Sequence, residues 1–331
     1  MAHSTSPTVT DDVERAEPNR QGRALAGAPR RSLAVGLLVS LRPTQWTKNL
    51  FVFFGLIFGQ RLFVPRDFAR ATAAFAIFCA LSGVVYLVND VSDRDADRLH
   101  PLKRFRPIPS GEVSIGAAIG TAVLLTVVAL ACGWVLSPMF ALVAVSYVAL
   151  QTLYSGPLKH IVIVDVLTIS VGFVLRAVAG AVVIDVPISQ WLLILTILLA
   201  LFLALSKRRH ELVLLADGAT GHRPILEEYS PYLLDQMIAV VTASTLISYV
   251  MYTVSQETVD KFHTRYLSLT LVFPLYGIFR YLYLVHKKEG GGNPADMLLT
   301  DRPLLACVAL WGVAVALIIY GAHAHILGLG A

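Results

Sequence analysis

The chain of 331 residues is 56% hydrophobic and only 15% charged, with a mean hydropathy of +0.67. Soluble globular domains carry about a quarter of their residues as Asp, Glu, Lys and Arg, so this composition excludes an ordinary soluble enzyme and points to a membrane. The net charge of +5 does not imply a nucleic-acid partner, because the basic residues recur between apolar runs instead of forming one patch.

In chain order, residues 1–40 are polar and rich in Pro, Gly and Ala, with no apolar stretch of the kind a secretory leader needs. They read as a disordered tail ending in a basic pair, Arg30 and Arg31, beside the membrane. A hydrocarbon layer of about 30 Å takes about 20 helical residues to cross. Nine apolar runs approach that length: Asn49–Phe63, Phe68–Val91, Val113–Leu136, Met139–Tyr154, Ile161–Ile184, Ile188–Ser206, Tyr232–Val254, Tyr266–Val285 and Pro303–His323. The first and fourth are short. Cys79, Cys132 and Cys307 fall inside these runs without metal-ligand spacing and read as small buried hydrophobes.

Lys and Arg gather on one side of these runs. With the N-terminus in the cytoplasm, the inside segments hold Arg42, Lys48, Arg94, Arg98, Lys103, Arg104, Arg106, Lys159, Lys207, Arg208, Arg209 and Lys287. The outside segments hold Arg61, Arg66, Arg70, Lys261 and Arg265. This asymmetry predicts an all-α integral membrane bundle of nine helices, forming one domain over residues 41–331, with a cytoplasmic N-terminus. Two inside segments are long and polar, Ser92–Glu112 and Lys207–Pro231.

The first of them continues the run "YLVNDVSDRDADRLHPLKRFRPIPSG", Tyr86 to Gly111. Asn89, Asp93 and Asp97 are four apart and share one helical face, and Asp90 lies seven before Asp97. Stacked carboxylates repel unless a cation lies among them. Hard oxygen ligands on one face suit Mg²⁺; the alternative is a solvated helix end neutralised by Arg94 and Arg98. Lys103, Arg104 and Arg106 follow within a loop's length. "SKRRHEL" adds Lys207, Arg208 and Glu211, and "YSGPLKH" brings Tyr154 and Lys159 near Asp165. Basic inside loops follow from charge asymmetry alone, but a carboxylate column does not. Cations beside such a column are what holding a diphosphate, and stabilising it as it leaves, requires. Lys48, with Trp46, stands where the first span meets the surface, as an interfacial anchor or a contact for an acceptor's phosphate. Arg176 and Arg280 fall inside apolar runs, where a charge needs a partner. Asp235 reads as a helix-end residue.

"NDVSDRDAD" followed by "RPIPSG", then "YSGPLK", on nine spans, resembles the UbiA superfamily of intramembrane prenyltransferases from about Arg42 onward. "LRPTQWTKNLFVF", "HPLKRFRPI" and "SKRRHEL" are most similar to its branch that moves a phosphoribosyl group from phosphoribosyl diphosphate (PRPP) to a polyprenyl phosphate. The resemblance implies Mg²⁺ on Asn89, Asp93 and Asp97, with Asp90 as a fourth ligand or a partner behind it, and Asp93 and Asp97 as the catalytic pair. It implies phosphate contacts from Lys103, Arg106 and Lys159, oriented by Tyr154. Lys207 and Arg208, beside Glu211, would take the 5-phosphate or share the diphosphate, and Asp165 would serve metal or phosphate. The implied partners are PRPP, a polyprenyl (decaprenyl) phosphate, the lipid bilayer of the plasma membrane and further copies of the chain, as a trimer. Where the aromatic prenyltransferases of the superfamily carry a second aspartate-rich motif, this chain reads "KRRHE". Aromatic prenylation is the nearest alternative. A transporter is the more distant one, since it would string ionisable residues along a path through the bilayer.

Overall fold

The computed structural model describes residues 32–100, 103–216, 224–287 and 294–326. Residues 1–31, with Arg30 and Arg31, lie outside them. Every regular element among the described residues is helical. The α-helices are α1 (Leu33–Ser40), α2 (Phe54–Phe58), α3 (Pro65–Ser92), α4 (Arg94–Leu99), α5 (Ile115–Leu136), α6 (Pro138–Ser155), α7 (Val164–Val183), α8 (Gln190–Ala216), α9 (Pro231–Val254), α10 (Gln256–Phe262), α11 (Val272–Lys287), α12 (Pro294–Thr300) and α13 (Arg302–Ile326). Eight helices are long and apolar enough to cross a membrane: α3, α5, α6, α7, α8, α9, α11 with its 3₁₀ lead-in from Tyr266, and α13. The protein is a multi-pass membrane bundle.

Local chemistry sets the helix starts. Ser114, Ser137 and Ser230 accept from the backbone N–H groups of Ala117, Phe140 and Leu233, satisfying amides that no helical carbonyl can reach. Pro65, Pro138 and Pro231 occupy first-turn positions, where the missing N–H costs nothing. At the opposite ends of α5 and α7, one side chain closes two helices. Arg70 Nε donates to Val183 O at 2.6 Å and its Nη2 to Leu136 O at 2.8 Å, a cation on two helix C-termini. This contact also fixes the polarity of the bundle. The start of α3 meets the ends of α5 and α7, so the end of α3 and the starts of α5 and α7 share the other, charged end.

The ninth crossing is an interrupted one. The run expected at Asn49–Phe63 is a 3₁₀ helix over Pro43–Phe53 followed by the short α2. Arg42 pairs with Asp90 near the end of α3, and Arg61 with Asp67 near its start. The segment therefore travels the length of α3 in reverse. A 3₁₀ helix rises about 2.0 Å per residue against 1.5 Å for an α-helix, which is how so short an apolar run covers the distance. Its contact with α7 is backbone on backbone. A Cβ on Gly180 would lie 1.8 Å from Val52 O, and one on Gly55 would lie 2.7 Å from Gly180 O. Small residues that let backbones meet are the usual means of helix association in lipid, where hydrophobic burial gives no drive. Around this seam Val52, Leu56, Phe78, Phe140, Tyr147 and Val183 form one core. A second, between α7, α8, α9 and α11, holds Val166, Phe202, Leu205, Leu234 and Tyr281.

Two boundaries differ from the sequence expectation. Leu33–Ser40, placed in the tail, is helical, and Leu37 packs with Val84, Leu87 and Val113. Residues 207–216, placed in a loop, are the last turns of α8. The hydropathy drop at Ser206 marks where that helix leaves the apolar layer; the helix itself continues because its basic residues find carboxylate partners.

Candidate active site at the charged end

The α3 helix stops at Asp93 (φ −91°, ψ 7°), yet the amide pattern runs on. Asp93 N donates to Asn89 O, and Asp97 N to Asp93 O, both at 2.8 Å. The column Asn89, Asp93, Asp97 is therefore kept across the break into α4. Its members are not equivalent. Asp93 is exposed and Asn89 half-buried, whereas Asp97 and Asp90 are 4% and 2% exposed. Arg106 joins the buried two: its Nη1 donates to Asp97 Oδ2 at 2.7 Å and to Asp90 Oδ1 at 3.1 Å. Lys103 Nζ lies 3.7 Å from Asp97 Oδ1. Arg42 Nη2 also donates to Asp90 Oδ1, with its guanidinium 4.5 Å over the Tyr86 ring. The neutralising cations are thus Arg42, Lys103 and Arg106, while Arg98 bonds Pro109 O at 3.0 Å and lies 3.8 Å from Asp95.

Arg106 is aimed by the "RPIPSG" turn. Val113 N donates to Pro107 O, Ser110 N to Arg106 O, and Gly111 takes φ +84°, a value that favours glycine. Ile108 is buried against Val84, Leu87 and Val113, which anchors the turn to α3 and α5.

A second cluster lies where α6 ends and α7 and α8 meet. Asp165, fully buried, accepts from Arg208 Nε and from Tyr229 Oη, each at 2.9 Å. Arg208 Nη1 donates to Glu211 Oε2 at 2.7 Å and Nη2 to Tyr154 Oη at 3.3 Å. Lys207 Nζ is 3.8 Å from Glu211 Oε1. Burial pushes the Tyr229 hydroxyl up to about 12, so it remains a donor to Asp165 at physiological pH. Its oxygen also accepts from Ile163 N, and Ile163 takes φ +69°, strained for a β-branched residue. Lys159 is half-buried on the 3₁₀ turn Leu158–His160, and Lys48 is half-buried on the first crossing.

These positions redistribute the expected roles. Arg208 is 2% exposed and its donors are spent on Asp165, Glu211 and Tyr154, so geometry gives it and Asp165 the task of bracing α8 on α7. Removing one partner strands a buried charge, which costs about 3–5 kcal/mol. Arg208→Ala and Asp165→Ala should each lower the thermal midpoint in detergent sharply, and the double variant by less than their sum. An unchanged midpoint for Arg208→Ala would free that side chain for ligand binding.

Sequence spacing gave no sign of three participants. By spacing Arg42 is a loop charge, Tyr229 lies in an unremarkable "EEYSP", and Asn49 hides in an apolar run. Within the bundle, Arg176 has no carboxylate partner among the described residues. It donates to Asn49 Oδ1, Tyr147 Oη and Gly172 O at 2.7–2.8 Å. Arg280 pairs with Asp301 through two bonds, at 2.8 and 3.1 Å. Asp235 binds Arg209 and lies 3.4 Å from His286 Nε2.

Asn89, Asp90, Asp93 and Asp97 offer only oxygen donors, the chemistry a magnesium ion takes. Among the described residues, three or more His, Cys, Asp or Glu side chains are nowhere gathered closely enough to hold an ion. Asp90 and Asp97 converge, but on Arg106. The donor set fits a divalent cation once that guanidinium has another anion to bind.

Residues 49–299 match the sequence pattern of the UbiA prenyltransferase family. The decaprenyl-phosphate phosphoribosyltransferase of Mycolicibacterium smegmatis is 33% identical over 305 residues, covering 88% of this chain and 95% of the relative. The protein of the same name from Mycobacterium tuberculosis is 34% identical over 298 residues, covering 87% and 97%. Among solved structures, a UbiA homolog from Archaeoglobus fulgidus bound to GPP and Mg²⁺ superposes with a TM-score of 0.66 at 18% identity, over 86% of this chain and 99% of that one.

Proposed function

This chain belongs to the UbiA prenyltransferase family, and we propose that within it the protein transfers the 5-phosphoribosyl group of PRPP to a polyprenyl phosphate, with decaprenyl phosphate as the acceptor. The charged end would face the cytoplasm at the plasma membrane, by the bias of Lys and Arg toward that end. The product would feed synthesis of the arabinose donor for a cell wall. The observation that supports phosphoribosyl transfer best is the contrast between the two clusters: one joins carboxylates to Arg42, Lys103 and Arg106, and the other, braced by buried Arg208, carries Lys207 with a side chain 41% exposed. PRPP has a matching asymmetry, with a diphosphate at one end and a single phosphate at the other.

Asn89, Asp93 and Asp97, with Asp90 behind them, are the residues that would hold Mg²⁺, which when bound neutralises diphosphate charge. Arg106, Lys103 and Arg42 would donate to the diphosphate oxygens as the bond from ribose C1 to the leaving oxygen breaks. That departure leaves positive charge on C1, like the oxocarbenium centre of glycoside chemistry. An oxygen of the lipid phosphate then bonds to C1. It is already anionic, so no side chain has to remove a proton. Lys159 and Lys207 are the cations for the 5-phosphate, since Arg208 is engaged. Lys48, near the mouth of the first crossing, would receive the lipid phosphate, and the isoprenoid tail would lie along apolar helix faces.

The test is incubation of purified protein with labelled PRPP, Mg²⁺ and decaprenyl phosphate, followed by analysis of the lipid product. Label should appear in a lipid-linked phosphoribose with release of diphosphate. Consumption of a prenyl diphosphate with 4-hydroxybenzoate, and none of PRPP, would overturn the proposal in favour of aromatic prenylation.

A further inference from the structure

The two buried carboxylates at the junction of α3 and α4 are already neutralised by the protein itself. Asp90, with a side chain 3% exposed, accepts from two guanidiniums, those of Arg42 and Arg106. Asp97, 5% exposed at its side chain, accepts from Arg106 and has Lys103 at 3.7 Å. Three cations thus serve two buried carboxylates, and the set carries a net positive charge. Arg42 is held to this task by its surroundings. It takes φ +52°, a left-handed conformation that costs a non-glycine residue energy, and its guanidinium lies 4.5 Å over the Tyr86 ring.

A divalent cation arriving alone would meet two buried carboxylates, Asp90 and Asp97, whose charge is already matched, and would have to draw them away from the guanidiniums of Arg42 and Arg106 with no anion to replace them. A diphosphate arriving with it removes that penalty, because Arg42, Arg106 and Lys103 can exchange carboxylate oxygens for phosphate oxygens while the carboxylates turn to the metal. Every charge then keeps a partner. We propose that Arg42 and Arg106 form an ion-pair interlock that makes this site take up a divalent cation and a diphosphate only together, with Arg42 as the residue that guards Asp90 in the unliganded state. The interlock builds on the diphosphate site described above but does not depend on which sugar or lipid is transferred.

By linkage, a diphosphate that tightens metal binding is itself bound more tightly by the same factor when metal is present. The test uses Mn²⁺ as a spectroscopic probe, with inorganic diphosphate and no sugar or lipid, titrated onto full-length protein in detergent and read by electron paramagnetic resonance. Wild-type protein should bind Mn²⁺ about 30-fold or more tightly once diphosphate is present, within the usual range of such coupling. Arg42→Gln should bind Mn²⁺ alone about tenfold more tightly than wild type and lose most of the coupling, while Arg42→Lys keeps the wild-type pattern. Lys103→Gln, which alters a side chain 44% exposed and so leaves folding intact, should shift the same way by about threefold. Equal Mn²⁺ affinity of wild type with and without diphosphate, or unchanged affinity in both Gln variants, would overturn the interlock. Because the readout is binding of two inorganic ions, it can fail while phosphoribosyl transfer holds, and hold while that transfer fails.

Discussion

Asp97→Asn should lower turnover about 10³-fold or more, equivalent to about 4 kcal/mol of lost transition-state stabilisation at 1.36 kcal/mol per tenfold. The substitution keeps the size of a buried side chain and removes only its charge. Arg106 retains Asp90 at 3.1 Å and a third of its surface in contact with solvent, so no cation is stranded. The protein should therefore elute from size exclusion as wild type does, with a thermal midpoint within a few degrees. Asp93→Asn, at an exposed position, should leave the fold still less affected and turnover comparably impaired. Rates within tenfold of wild type in both variants would remove these carboxylates from the chemistry and leave them as counter-ions for Arg42 and Arg106.

Gly180→Ala tests the fold at its tightest point. The added methyl would meet the carbonyl of Val52 at 1.8 Å and its Cα at 2.9 Å, and backbone cannot rotate away as a side chain can. Overpacking ordinarily costs about 1–3 kcal/mol, and contact with backbone puts this site at or above that range. The first crossing would have to separate from α7, breaking the Arg176 to Asn49 bond on the way. A loss of 10 °C or more in the detergent midpoint, with low yield of monodisperse protein, is expected. Gly116→Ala, where nothing lies within 4 Å, is the matched control and should be neutral or slightly stabilising. Equal midpoints for the two variants would show that the seam between Val52 and Gly180 can open without cost.

Hydropathy located the eight long helices because a membrane imposes one strong requirement on each, and the Ser and Pro residues at their starts sharpen the boundaries. It failed where a helix outruns the bilayer, as α8 does beyond Ser206, since the periodicity of apolar residues ends with the lipid. The column Asn89, Asp93, Asp97 was legible from spacing alone. What spacing could not give was which carboxylates turn inward. That depends on the break at Asp93 and on Arg106 arriving from the following turn. Arg42 was harder still, because its partner Asp90 lies 48 positions away and the pairing requires a left-handed residue that "LRPTQ" does not announce. Conversely, "SKRRHEL" suggested a phosphate site because, beside its own Glu211, the carboxylates that engage its arginines, Asp165 and Asp235, come from other helices.

The interrupted first crossing bears on the order in which the protein is assembled. It brings Asn49 into the apolar interior, where among the described residues the side chain bonds Ser82 and Cys79 of α3 and Arg176 of α7. By itself in hydrocarbon, a 3₁₀ segment with such a residue would leave polar groups unmatched, at a cost of several kcal/mol each. Cys79 and Ser82 follow it by 30 and 33 residues, but Arg176 is synthesised 127 residues later. The first crossing therefore finds its permanent place only after α7 has entered the bilayer, and the groove between α3 and α7 must stay open until then.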